Sequence, residues 1–254
     1  MKLTVTVITH NESANIAAAL ESVSWADEII VVDAHSSDDT VAIARRLATR
    51  VEVRDWPGYG PQKNYAASLA SNDWILSLDA DERVTPALAQ EIRALLDAGP
   101  PVRGYRVPRL AFYLGRWIRS TDWYPDYQLR LYDRRAGRWN DRRVHESIEL
   151  DGAPGLLRHE LQHYPYRDIS HHIVTIDRYT TLAAEEWRAA GRRASAAEIL
   201  VHTELAFARN YVLRAGFMDG AAGLIVSTLN SYYVFLKFAK LWQLNRAANP
   251  QPRP

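Results

Sequence analysis

The sequence predicts an α/β protein: a mainly parallel sheet flanked by helices, followed by a helical carboxy-terminal extension. Three observations carry this. Short apolar, β-branched runs alternate with helix-spaced segments through the first hundred residues, which is the pattern of βαβ units. From residue 168 the strand signal disappears and helical spacing takes over. The chain has 254 residues with 47% hydrophobic and 24% charged content, enough for one large α/β domain or one domain plus an appendage.

The elements follow in order. Leu3 to Ile8 is a continuous apolar and β-branched strand. Ser13 to Val23 has helical spacing through Ile16, Leu20 and Val23. Glu28 to Val32 is a second strand, and Ser36-Ser37-Asp38-Asp39 supplies capping residues for a helix through Leu47. Val51 to Val53 is a short third strand, Gln62 to Leu69 a helix, Asp73 to Leu78 a fourth strand and Pro86 to Leu96 a further helix. Gly99-Pro100-Pro101 ends this regular pattern. Residues 102–150 are rich in Arg, Trp and Tyr, with short strands expected at Gly104–Pro108, Gln128–Asp133 and Ser147–Leu150. Asp168 to Ala190 reads as a helix, Gly191 to Ser195 as a basic break, and Ala196 to Trp242 as helices interrupted near Gly216–Gly223. The tail 247–254 is Pro-rich and reads as disordered.

Composition excludes several classes. A net charge of +1 gives no bulk attraction to nucleic acid, so no nucleic-acid partner is expected. With no cysteine there is neither a disulfide framework nor thiolate chemistry. The amino terminus enters a strand at once, and no run of 18 apolar residues occurs, so neither a signal peptide nor a spanning helix is expected and a cytoplasmic location is the default.

The chemistry concentrates at Leu78-Asp79-Ala80-Asp81-Glu82. Two carboxylates appear one residue apart where the buried run Trp74–Leu78 leaves the core, and the carboxyl ends of strands are where α/β sheets bind ligands. Asp-x-Asp at that point offers oxygen ligands to a hard divalent cation such as Mg²⁺ or Mn²⁺; alone, it is also the pattern of a solvated acidic turn. Two further strand ends, Thr9-His10-Asn11-Glu12 and Asp33 to Thr40, should lie along the same rim, and together the three loops suggest a nucleotide-plus-metal pocket.

In order and spacing, Val7–Glu12, Ile30–Asp33 with Ser36–Thr40, Gln62-Lys63-Asn64 and Leu78–Glu82 resemble the family-two glycosyltransferases with the GT-A (Rossmann-like) fold. The resemblance spans roughly residues 1–165, its nucleotide-sugar half over about 1–100 and its acceptor half over about 101–165, with a helical extension over 166–246. Trp123 to Tyr132, Val144-His145-Glu146, Gly216 to Gly220 and the aromatic last helix resemble a narrower branch, the lipopolysaccharide core-biosynthesis glucosyltransferases of Gram-negative bacteria. This resemblance implies an inverting transfer of a hexose, glucose first, from a UDP-linked nucleotide sugar to a lipopolysaccharide core acceptor. Transfer to polyprenyl phosphate is the alternative, and a non-catalytic glycan- or nucleotide-binding module the reading from another class. Thr9, Asn11, Glu12 and Asp33 would hold the nucleoside. Lys63 would sit near the diphosphate. Asp79, Ala80 and Asp81 would engage the donor, with the metal on Asp81, on Asp79 through water or the sugar, and on His163. Glu146 is the choice for general base, with Asp126 as the alternative, because His145-Glu146 stands where the family usually carries an acidic pair.

The middle arginines, Arg103, Arg106, Arg109, Arg116, Arg119, Arg130, Arg134, Arg135, Arg142 and Arg143, with Trp117, Trp123 and Trp139 between them, suggest a phosphorylated, acidic glycan acceptor. Residues 205–246 carry Arg209, Arg214, Lys237, Lys240 and Arg246 against Asp219, with an aromatic face. That pattern fits peripheral contact with the inner face of a bacterial inner membrane. Packing on the catalytic core and a homo-oligomer contact are the alternatives.

Overall fold

A computed structural model of the chain describes residues 1–141 and 146–247. Arg142, Arg143 and His145 from the sequence reading, and the tail beyond 247, lie outside the described residues. Two compact units are present: residues 1–110 with 126–164, and residues 111–125 with 165–254. The segment 111–125 groups with the carboxy-terminal helices and not with the acceptor half of the sheet.

In the first unit the strands are β1 (Leu3–Thr9), β2 (Glu28–Asp33), β3 (Arg50–Val53), β4 (Trp74–Asp79), β5 (Glu82–Val84) and β6 (Gly104–Tyr113, whose last three residues belong to the second unit). The helices between them are α1 (Ile16–Glu21), α2 (Thr40–Leu47), α3 (Tyr59–Ser68) and α4 (Pro86–Ala98). β1, β2, β3 and β4 are mutually parallel, in the spatial order β3-β2-β1-β4. All seven residues of β1 are buried, as a parallel strand covered on both faces requires. Leu3, Val5 and Val7 join Ile16, Leu20, Leu88 and Ile92 under α1 and α4 on one face. Ile8, Ile30, Val32 and Ile75 join Ala66 and Ala67 of α3 on the other. Each such fully buried Leu, Ile or Val contributes about 1.5–3 kcal/mol of transfer free energy.

Local chemistry ends the helices. Thr85 accepts from the Leu88 N–H with Pro86 at the first turn of α4. Of the expected capping residues of α2, Asp38 accepts from the Thr40 N–H and also from the Ser13 N–H, while the Asp39 side chain makes no capping bond. α1 starts at Ile16, later than the sequence reading placed it, after a turn in which the Asn15 and Ile16 N–H groups donate to the Glu12 carbonyl.

The remaining strands of this unit are β8 (Asp126–Asp133), β9 (Gly137–Trp139), β10 (Ile148–Leu150), β11 (Gly155–Leu156) and β12 (Leu161–His163), with β7 (Arg116–Ile118) in the second unit. The sheet continues past β4 as β8-β6-β12-β5, with β8 antiparallel to both β4 and β6 and β12 antiparallel to β5. The parallel half is therefore legible as βαβ units, and the second half is antiparallel. β5 starts two residues after β4 ends, yet stands at the far end of the strand order. The sheet therefore curls and returns its last strands beside the carboxyl end of β4.

In the second unit, Ala111–Tyr113 pairs with β7, and three helices follow: α5 (Ile169–Ala189), α6 (Ala196–Ala208) and α7 (Gly220–Ala247). Ser195 and Glu198 form a reciprocal capping box at the start of α6. Lys240 on α7 reaches the Asp177 carbonyl at 2.6 Å, its carboxylate at 2.7 Å, and the Thr180 and Thr181 hydroxyls of α5. Lys237 lies 4.2 Å over the Trp187 ring, and burial with the nearby Arg192 charge lowers its pKa. This corrects one part of the sequence reading: these two cations pack α7 against α5 and do not form an outward basic face.

Candidate active site

The three polar loops meet at one rim because the strand registers require it. Thr9 stands opposite Asp33, and Ile8 opposite Asp79. The first two loops are tied together. The Asn11 N–H donates to Ser36 Oγ at 2.8 Å, and the Ser37 N–H donates to Asn11 Oδ1 at 2.8 Å. Asn11 and His35 hold positive φ, at 55° and 57°, as tight turns at functional loops often do. Asp33 is fully buried, and its two oxygens accept from the Ser36 N–H and hydroxyl, so it organises the turn around Ser36. The Glu12 N–H donates to Thr40, and its carboxylate accepts from Asn15. Thr9 is buried, and its hydroxyl has no partner among the described residues.

Lys63, on α3, is the hinge of the site. Its Nζ lies 3.1 Å from Asp79 Oδ1 and 3.1 Å from Glu146 Oε1, and 4.2 Å over the Trp139 ring. Only 4% of its side chain is exposed. Asn64, the next residue, brackets the Trp139 backbone with two hydrogen bonds and fixes α3 against β9. Gly60 is required for this approach: a Cβ there would lie 1.9 Å from the Asn140 carbonyl oxygen.

From Asp79 the chain of charges runs inward. Arg130 on β8 binds the second Asp79 oxygen and lies 2.5 Å from Glu82 Oε1. Arg109 on β6 lies 3.2 Å from the same Glu82 oxygen and grips Asp126 at 2.7 Å. Glu82 also accepts from the Asp79 N–H at 3.0 Å. Burial alone would push the Asp79 carboxyl up, but Arg130, Lys63 and Arg109 hold it far below the usual carboxylate range. Arg130 is driven the other way by Asp79 and Glu82, against a burial penalty, and stays charged.

Asp81 is placed differently. Antiparallel pairing sets His163 opposite Glu82, and the Tyr164 N–H donates to the Asp81 carbonyl at 2.9 Å. His163 Nε2 therefore comes within 3.3 Å of Asp81 Oδ2. Ala80, between the two acids, is buried, which turns Asp79 and Asp81 to different partners. Both Asp79 oxygens face cations, whereas the carboxylate of Asp81 faces an imidazole. No group of three metal-ligating side chains occurs among the described residues. Asp81 would offer a hard divalent cation such as Mn²⁺ its carboxylate, and His163 an imidazole that Mg²⁺, an ion of oxygen ligands, accepts less readily.

The two base candidates separate by environment. Asp126 has one oxygen in the Arg109 fork and the other 2.5 Å from the Gln128 amide. Among the described residues, Glu146 pairs with Lys63.

Sequence reasoning missed the roles of Glu82, Arg109 and Arg130. The signal was present: Arg130 lies between Leu129 and Leu131 in a buried strand, and a buried arginine needs carboxylate partners. Of the middle arginines, Arg130 and Arg109 are turned onto the site carboxylates and are not free for an acceptor, whereas Arg103 and Arg135, paired with Asp133, and Arg116, paired with Asp219, keep exposed side chains. Trp139 is buried beneath Lys63 and presents no face to a sugar.

A βαβ sheet whose strand ends converge on an Asp-x-Asp turn, with a further carboxylate held beside that turn, defines a GT-A glycosyltransferase. The chain belongs to glycosyl transferase family 2, whose profile matches residues 4–147. It is 31% identical to an uncharacterized glycosyltransferase of Rickettsia felis, over 94% of this chain and 89% of that one. It is 29% identical to the lipopolysaccharide core biosynthesis glycosyltransferase LpsC of Rhizobium meliloti, over 96% and 93% of the two chains. Among solved structures it resembles the mannosyltransferase PcManGT of Pyrobaculum calidifontis, described in complex with GDP-Man and Mn²⁺, with TM-score 0.54 and 19% identity over 94% of this chain and 86% of that one; this likeness concerns the fold.

Proposed function

We propose that this glycosyltransferase moves a hexose, glucose first among candidates, from a UDP-sugar to a lipopolysaccharide core acceptor with inversion at the anomeric carbon, working at the inner face of the bacterial inner membrane. The observation that carries the reading is the Asp79-Ala80-Asp81 turn at the exit of β4, with Glu146 tied to it through Lys63 at 3.1 Å on each side. The name of the Rhizobium meliloti relative supports the acceptor class.

Glu146 takes the proton from the acceptor hydroxyl as that oxygen forms its bond to the anomeric carbon. The bond from that carbon to the nucleoside diphosphate breaks in the same displacement, and the diphosphate leaves with the electron pair. Lys63 fixes Glu146 relative to Asp79, so the base and the donor turn keep their spacing. Asp81 and His163 would hold a divalent metal, which would supply positive charge to neutralise the leaving diphosphate. Thr9, Asn11 and Glu12 line the nucleoside end of the rim. Asp33 acts through the turn it organises. Asp126, held in the Arg109 fork, orients that arginine toward Glu82.

A thermal-shift panel of UDP, GDP, ADP and CMP, with and without Mn²⁺, tests the donor. Saturation at about a hundred times Kd stabilises the folded state by about 2.7 kcal/mol, a rise of roughly 5–10 °C. Only UDP with Mn²⁺ is expected to give it. A larger shift from GDP would replace the donor, and no metal effect would remove the metal. Transfer of label from UDP-glucose to purified lipopolysaccharide core tests the acceptor. Label passing to a polyprenyl phosphate instead, with Glu146 dispensable, would favour that acceptor, because a phosphate needs little deprotonation.

A further inference from the structure

The second unit carries a surface that the transfer chemistry does not use. α6 and α7 are joined by a π-turn over Arg209–Leu213 and a 3₁₀ turn over Gly216–Asp219, and the pair bends by 68° at this break. Among the described residues no single helix is long and apolar enough to cross a membrane, but the bent pair passes the same test of length and composition when taken together. At the bend the apolar side chains face outward. Leu213 is 80% exposed and Met218 72%, and Leu205, Val212, Phe217 and Leu224 are also exposed.

The bend is built, not frayed. The Arg214 N–H donates to Arg209, Ala215 to Val212 and Met218 to Ala215, and the Thr121 N–H donates to the Arg214 carbonyl. Asn210 is buried and joins Asp122, the Ala206 carbonyl and Asn230. A Cβ on Gly223 would lie 1.8 Å from the Gly216 carbonyl oxygen. Each backbone group closed in this way lowers the cost of bringing the bend into an apolar medium.

Charge selects the partner. Asp219, the one acid of residues 205–246, is 5% exposed and is bound by Arg116 and Ser120. Arg209 and Arg214 flank the tip, each more than half exposed, and share Asp122 between them. A symmetric contact between two copies at this tip would set these arginines against each other. An anionic lipid surface meets both features at once, apolar side chains inward and cations at the headgroups.

We infer that the α6–α7 bend docks into an anionic lipid bilayer, with Val212, Leu213, Phe217 and Met218 entering the interface and Arg209 and Arg214 meeting headgroups. The inference rests on the proposed membrane-side location and is independent of the transfer chemistry. It also moves the contact from the far end of α7 to the bend.

The test is co-flotation of the full chain with phosphatidylcholine vesicles, with and without phosphatidylglycerol, at low and high salt. The wild type is expected to float with the anionic vesicles, less so at high salt. Leu213→Gln/Met218→Gln is expected to weaken this at least tenfold, from the lost burial of two apolar side chains. Both positions are exposed, so the thermal midpoint and UDP binding should not move. A wild type that ignores anionic vesicles at low salt, or a double variant that floats like the wild type, overturns the inference. So does a wild-type dimer that the double variant dissolves, because the face would then be a subunit contact. Vesicle binding without nucleotide-sugar turnover supports the docking surface and removes only the donor reading.

Discussion

Arg130→Met should destabilise the first unit by about 3 kcal/mol at neutral pH. Arg130 is 3% exposed and lies between Asp79 and Glu82, the latter wholly buried. Methionine fills similar volume but leaves both carboxylates without the guanidinium, and breaking a buried ion pair from one side costs about 3–5 kcal/mol. The lower end applies because Asp79 keeps Lys63 at 3.1 Å and Glu82 keeps Arg109 at 3.2 Å. In a domain of this size that loss lowers the calorimetric midpoint by roughly 6–12 °C. The sign of the pH dependence follows from Asp79, whose folded pKa is depressed chiefly by Arg130 and Lys63 in opposition to burial. A carboxylate of this kind contributes stability that is present above its unfolded value, near 4, and is lost as the pH falls through its folded value. Without Arg130 the depression shrinks, so the gap between wild type and variant is widest at neutral pH and narrows below about pH 4. Calorimetry at several pH values measures both quantities. A variant midpoint equal to the wild type at neutral pH, or a gap that widens on acidification, would refute the reasoning.

Three further outcomes are expected. Glu146→Gln should retain nucleotide binding while turnover falls by about 10²–10⁴-fold, whereas loss of turnover in Asp126→Asn with Glu146→Gln active would transfer the base role. Asp81→Ala should abolish the Mn²⁺-dependent part of UDP binding in calorimetry, with His163→Ala weakening it and the fold intact; unchanged metal-dependent affinity in both would remove the assignment. His172, stacked 3.8 Å from Tyr166, has its pKa lowered to about 4 by burial and the nearby His171. Its neutral form is favoured by folding, so stability is lost as the pH falls from the unfolded value near 6.5 toward 4, by about 2 kcal/mol by pH 5. His172→Phe should flatten that slope in urea titrations, and an unchanged slope would assign it elsewhere.

Much of the fold and of the nucleotide rim was legible from residue order alone. A parallel strand such as β1 is buried on both faces and spells a continuous apolar run, so β1, β2 and β4 and their exits at Thr9, Asp33 and Asp79 could be placed without coordinates. Once the strands were parallel, adjacency of those exits followed. The antiparallel half was less legible because β5, β7, β9, β11 and β12 are two or three residues long, too short to show a period. The partner of each carboxylate was not legible at all. His163 meets Asp81, and Lys63 meets Glu146 across 83 residues of sequence, only because the sheet curls and α3 packs on β9. Arginine and tryptophan at Arg130, Arg109 and Trp139 look in sequence like a surface for an anionic glycan, but packing turns them inward. The far end of α7 and the α6–α7 bend are both basic and apolar in sequence. Which of them packs on α5 and which faces solvent is a property of the assembled helices, because burial depends on neighbours that a linear sequence does not show.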